Sequence, residues 1–161
     1  MQHEQTGHLP KLVVGPMQLE WEAARARIRP LLIRQIEAAF DSVELGHGVS
    51  LHQARAMDDC ASPAEIAAAR ALDTENRWQD ITDEKLDRLA DTLPFMDAEG
   101  FRFHIPRFMI FALLNEGWSW ARDTAIYWTD TSGRPSEHLS LLSEDQRMAV
   151  EAFAEFYIEE R

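Results

Sequence analysis

Apolar residues recur every three or four positions from Met17 onwards. Met17, Trp21, Ala24, Ile28, Leu32, Ile36, Ala39 and Phe40 share one stripe, the mark of an amphipathic helix. Pro30 interrupts the stripe, so the helix is either kinked there or restarts with the proline in its first turn. Asp41 and the Gly46-His47-Gly48 loop end it. Residues 1–16 show no such period and contain Pro10, Gly15 and Pro16, which predicts a flexible N-terminal arm. Residues 17–161 then form a single helical domain.

Local start signals place the next helices. Ser50-Leu51-His52-Gln53 is a capping-box pattern: the serine oxygen accepts from a free backbone N–H and the glutamine reaches back to the cap. A short helix to about Asp59 follows from it. Ser62-Pro63-Ala64-Glu65 repeats the signal with proline at the first helical position, ahead of an alanine-rich helix over 63–72. Thr82 caps a helix whose first turn holds Asp83 and Glu84, where negative charge suits the helix dipole. Leu86, Leu89, Ala90 and Leu93 form its apolar face, and Pro94 stops it. A third capping box, Ser143 to Gln146, opens the last helix, whose Ala149, Ala152, Phe153 and Phe156 face inward while Glu151, Glu155 and Glu159 line the solvent side.

The segment Phe95 to Pro106 breaks the helical rhythm. Asp97-Ala98-Glu99-Gly100 is a turn signal. Phe101, Phe103 and Ile105 then alternate with Arg102 and His104, as in a half-buried strand. Pro106 opens a helix, Phe108 to Leu114, that is apolar on every side and should be the buried centre of the fold. It ends at Asn115-Glu116-Gly117. Ile126-Tyr127-Trp128 is a second strand candidate. The fold class is therefore mainly α: a compact domain of about six helices, with a short two-stranded β-hairpin pairing 101–105 with 125–129.

Charge narrows the class of partner. The 161 residues carry 28 acidic and 16 basic side chains, a formal charge of −12. Residues 58–99 hold twelve acids against four bases, while residues 1–57 hold six of each. An excess of this sign argues against binding nucleic acid, which needs a basic footprint, and against anionic lipid. No apolar run approaches the length of a membrane span, and the N-terminus lacks the pattern of a signal peptide. Cys60 has no partner for an internal disulfide, which fits a reducing compartment. These readings together predict a cytoplasmic protein. Neighbouring Asp58 and Asp59 disfavour a thiolate at Cys60, which is read as a small residue near the core rather than a nucleophile.

The run Phe95-Met96-Asp97-Ala98-Glu99-Gly100-Phe101-Arg102-Phe103, with Ile105-Pro106 and Met109 after it, resembles an uncharacterised family of bacterial proteins, a domain of unknown function. Gly48-Val49-Ser50-Leu51, Asp58-Asp59 downstream, and the Ser143 to Gln146 helix start are similar to it as well, so the resemblance spans about residues 30 to 158. It implies an aromatic after Phe103, where this chain has His104. It implies a bacterial, intracellular single domain and says nothing about mechanism; separately, no motif in the chain calls for a cofactor or a metal.

Two constellations could carry function. Asp97, Glu99, Arg102 and His104 fall within eight residues; in a strand, Arg102 and His104 share one face. With Asp58 or Asp59 they would make a small polar site, with carboxylates as acid or base, arginine for an anion and histidine for proton transfer. The competing reading is a turn whose carboxylates accept backbone N–H groups. His52, Arg55 and Asp59 share a helical stripe, but no metal-ligand spacing accompanies them. Trp118, Trp120 and Trp128 cluster after the central helix, either as an interface or as a core corner filled by large rings.

The leading expectation is a non-enzymatic, acidic interaction or regulatory domain that takes a basic protein partner. In its sharpest form it is an immunity protein masking a basic nuclease. The alternative is a small hydrolase built on Asp97, Glu99, Arg102 and His104. A third possibility is a homodimer through the Trp118–Trp128 region or the first helix.

Overall fold

The computed structural model describes residues 15–132 and 137–158. Helix α1 covers Pro16–Phe40 with Gly15 as its N-cap and Pro16 in the first turn, where a missing N–H is harmless. It therefore starts one residue before the apolar stripe; the rest of the expected arm, residues 1–14, lies outside the described residues. The helix runs through Pro30 without restarting, although the ring leaves the Ala26 carbonyl without its helical donor. Only its C-terminal part reaches the core. Leu32, Ile36 and Phe40 are buried, whereas Met17, Trp21 and Ile28 of the same stripe are exposed.

Helices α2 (Leu51–Asp58) and α3 (Pro63–Ala69) form as their capping boxes predict. Ser50 and Ser62 accept from the N3 backbone, and Gln53 and Glu65 return the bond. Between them, α2 ends in a Schellman motif: Cys60 N–H donates to Met57 O and Ala61 N–H to Ala56 O. That places Cys60 at a φ of 55°, the left-handed conformation that favours glycine. The residue is exposed, not near the core. A 3-10 turn, Arg70–Leu72, extends α3, and another covers Trp78–Asp80.

Helix α4 (Asp83–Arg88) is capped by Thr82, and the 3-10 turn Ala90–Phe95 carries the chain through Pro94 to the central helix. That helix, α5 (Ala98–Leu114), is longer than expected and swallows the whole 101–105 segment. Helix α6 covers Trp120–Thr129, the second strand candidate included. The β-hairpin is therefore wrong: there is no strand among the described residues. Phe101, Phe103, His104 and Ile105 are all buried. A helix enclosed on nearly every side needs apolar residues at every phase, so alternation there carries no information about a strand.

Helix α7 (Glu144–Phe156) starts at the Ser143 capping box and lies along α1. One contiguous core takes side chains from every helix except α3. Trp78 is buried in it, with its indole N–H donating to Phe40 O at 2.8 Å. None of the helices, among the described residues, is long and apolar enough to cross a membrane.

Candidate functional site

The Asp97-to-His104 run is the N-cap and about the first two turns of α5. Asp97 is its N-cap, and one carboxylate oxygen accepts both from Gly100 N–H at 2.8 Å and from Val49 N–H at 2.9 Å. The same aspartate thus caps a helix and holds the 46–50 loop against it. The two chains touch backbone to backbone. A Cβ built on Gly100 would lie 2.3 Å from Val49 O, and one on Gly48 would lie 2.5 Å from Gly100 N. Arg70 closes the loop from the far side by donating to the Gly46 and Gly48 carbonyls and to the Gln53 amide oxygen. Glycines at 48 and 100 are required by this approach rather than by any left-handed φ.

His104 lies nearly two turns into α5 and is buried. A carbonyl can only accept, so the 2.6 Å contact fixes Nδ1–H as donor to Gly100 O. Burial dominates and pushes its pKa down to about 4, despite the hydrogen bond to Gly100. His104 is thus a neutral, structural imidazole near pH 7. Arg102 and His104 share no strand face; Arg102 turns away to donate to Leu141 O at 3.3 Å. Glu99 is exposed. Asp58 pairs with Arg55 at 3.0 Å, and Arg55 also reaches Asp91. Asp59 is the C-cap of α2 and exposed. Of the six predicted polar residues, Asp97 and His104 meet at Gly100, while Arg102, Asp58 and Asp59 belong to other surroundings.

A tighter polar cluster sits close by, among residues that local patterns do not connect. Asp73 accepts from the His52 backbone N–H and from His52 Nδ1–H, both at 2.8 Å, and pairs with Lys85 Nζ at 2.8 Å. Lys85 also contacts both Glu75 oxygens, at 2.8 and 2.7 Å. Burial alone would raise the Asp73 carboxyl, yet Lys85, Ser50 and His52 together bring it down to about 2. Burial likewise opposes the Lys85 ammonium, and the two carboxylates more than offset it, holding its pKa above the usual range. Asp73 in effect supplies α2 with a second cap, beside Ser50. Lys85 ties that cap to α4. No group of three or more His, Cys, Asp and Glu side chains suited to a metal ion occurs among the described residues.

The exposed chemistry lies elsewhere. Between α4 and the α5–α6 turn is a groove of about 470 Å³, with Asp83, Glu84 and Asp87 on one wall and Leu114, Glu116 and Trp118 on the other. Trp118 and Trp120 are 70% and 63% exposed and meet edge to face at 5.2 Å. Arg107 pairs with Asp83, and Arg29 with Glu116 at 2.6 Å. Glu84 and Asp87 have no ion-pair partner among the described residues. The third tryptophan of the predicted interface parts company with the others: Trp128 is half-buried and packs against His138 at 5.2 Å. Asp83, Glu84 and Asp87 belong to the acidic middle of the chain, so the fold brings a part of that charge and two of the three tryptophans to one place.

One family model matches the chain, over residues 29–160, and describes a family of unknown function. No protein with a curated description and no solved structure matches.

Proposed function

The chain belongs to that family, DUF6714, which passes on no activity, and from the geometry we propose that it is a non-enzymatic interaction domain whose acidic groove takes a basic segment of a partner protein. The observation that carries this reading is the pairing of two unpartnered carboxylates, Glu84 and Asp87, with the exposed Trp118 ring across one groove. An arginine side chain suits both walls. Its guanidinium can bond to a carboxylate in planar, forked fashion and lie over an indole face. Aromatic anchors with a charged rim are the usual energetic centre of a protein interface. A small hydrolase around residues 97–104 is the weaker reading, because Asp97 and His104 are engaged by backbone groups.

The test is a titration followed through the tryptophan indole N–H resonances. A short arginine-rich peptide should shift Trp118 and Trp120, and a glutamate-rich peptide of the same length should not. The shift should weaken with added salt and vanish in the Glu84→Gln/Asp87→Asn variant. A chain that ignores the arginine peptide, or binds it equally well without those two carboxylates, removes the reading.

A further inference from the structure

Helix α1 is apolar over more of its circumference than the fold covers. Leu32, Ile36 and Phe40 are buried. Met17, Trp21, Ala24, Ile28 and Leu31 follow one another in steps of four, three, four and three. At 3.6 residues per turn, that spacing centres them to one side of the buried face. Met17, Trp21, Ile28 and Leu31 are exposed, and Ala24 is half-buried. The stepping is that of a heptad seam, with Trp21 and Ile28 at a positions and Met17, Ala24 and Leu31 at d positions. So narrow a seam suits one other helix.

The charges beside the seam select the helix. On its open flank the g positions are Glu20 and Arg27, seven residues apart. Both are exposed, and neither has an ion-pair partner among the described residues. Arg27 donates to Ala23 O of its own helix at 3.3 Å. The other flank is closed: Arg25, at an e position, lies over the Trp21 and Phe156 rings, and Leu32, at the next, is buried. Parallel helices pair g with e and would call on that closed flank, whereas antiparallel helices pair g with g. We infer that the seam docks a second copy of α1, in a two-fold antiparallel pair whose axis passes beside Glu22 and Ala23. That register sets Met17 against Ile28, Trp21 against the small Ala24, and Glu20 of each copy against Arg27 of the other. The symmetry forms the charge pair twice, once on either side of the axis. Arg34, the next g position, falls outside the four facing layers. Helix α1 carries four arginines and three glutamates, so two copies of it meet without the repulsion that a chain charge of −12 implies elsewhere. No residue of the seam lines the acidic groove, so the dimer and the basic-partner reading stand or fall separately.

Charge reversal is the discriminating experiment. In sedimentation equilibrium up to high micromolar concentration, the mass of the native chain should rise from 18.5 kDa towards twice that value. Arg27→Glu sets glutamate against glutamate on both sides of the axis, and Glu20→Arg sets arginine against arginine. Each should weaken the dimer roughly tenfold or more. Both side chains are exposed, so these variants should keep their fold, checked by circular dichroism. An equimolar mixture of the two, or the double swap Glu20→Arg/Arg27→Glu, should recover the native association. Ile28→Glu should abolish it. Glu84→Gln/Asp87→Asn should keep it, even where that variant no longer takes the arginine peptide. A native chain that is monomeric at every concentration overturns the inference. So does a dimer that tolerates Arg27→Glu, which would mean parallel helices or another face, and so does a mixture that stays monomeric. Loss of the dimer in the Glu84→Gln/Asp87→Asn variant overturns it too, by moving the interface to the groove.

Discussion

Gly100→Ala sets two physical effects against each other, and the structure decides the sign. Alanine in place of glycine within a helix ordinarily stabilises by up to about 1 kcal/mol. Here the new Cβ would meet Val49 O at 2.3 Å and Val49 N at 3.0 Å. Both are backbone atoms, so no rotamer change relieves the contact. Restoring an ordinary separation moves the 46–50 loop by about 1 Å. That movement pulls Val49 N–H from its 2.9 Å bond to the Asp97 carboxylate, a loss of about 1.5–3 kcal/mol for a bond to a charged group. Strain from overpacking adds about 1–3 kcal/mol. Net of the propensity gain, the variant should be about 1.5–5 kcal/mol less stable. Urea denaturation followed by circular dichroism reads this as a lower midpoint at unchanged slope. Gly117→Ala is the control, since its Cβ meets nothing within 4 Å, and it should be near neutral. If Gly100→Ala matched or exceeded the native stability, the close approach of loop and helix would be disproved.

Cys60→Gly should stabilise the chain by about 1 kcal/mol in thermal or urea melts by relieving the left-handed φ, whereas Cys60→Ser, which keeps a Cβ, should not. Lys85→Met should cost about 3–5 kcal/mol in the same melts, because it strands Asp73 and Glu75 without their cation. Acid sensitivity should fall in two windows. His104 is neutral in the fold, with a pKa of about 4 against 6.5 for the free group. The unfolded chain therefore binds the extra proton first, and stability drains away as pH falls from 6.5 towards 4; His104→Gln should flatten that slope. Asp73, at about 2 against 3.8, adds a second loss between those values. A native chain with flat stability from pH 7 to 4 would contradict the first window.

What was legible in the sequence was local. The three serine capping boxes and Thr82 involve groups within four residues of each other, and all four appear as read. The start of α5 was misread because an aspartate accepting from backbone N–H groups serves a turn and a helix cap alike; burial on all sides then decided for helix. Periodicity along α1 correctly grouped Met17, Trp21 and Ile28 with Leu32 on one stripe, but a stripe says which residues share a face, not whether anything covers it. Trp78 and Trp118 look alike in sequence, and only tertiary structure sends one to the core and the other to the surface. The Asp73–His52–Lys85 cluster joins three segments with no spacing rule between them. His52 surfaced only as part of a helical stripe, and Asp73, Glu75 and Lys85 gave no local signal beyond the rarity of lysine in the chain.

That rarity has a practical side. Lys11 and Lys85 are the only lysines, and Lys85 is held between two carboxylates with its side chain 10% exposed. Amine-directed acylating reagents should therefore react with Lys85 only when α4 and the 73–75 loop come apart. The residue is a built-in clock for the opening of the native state, readable by mass spectrometry without any engineered label.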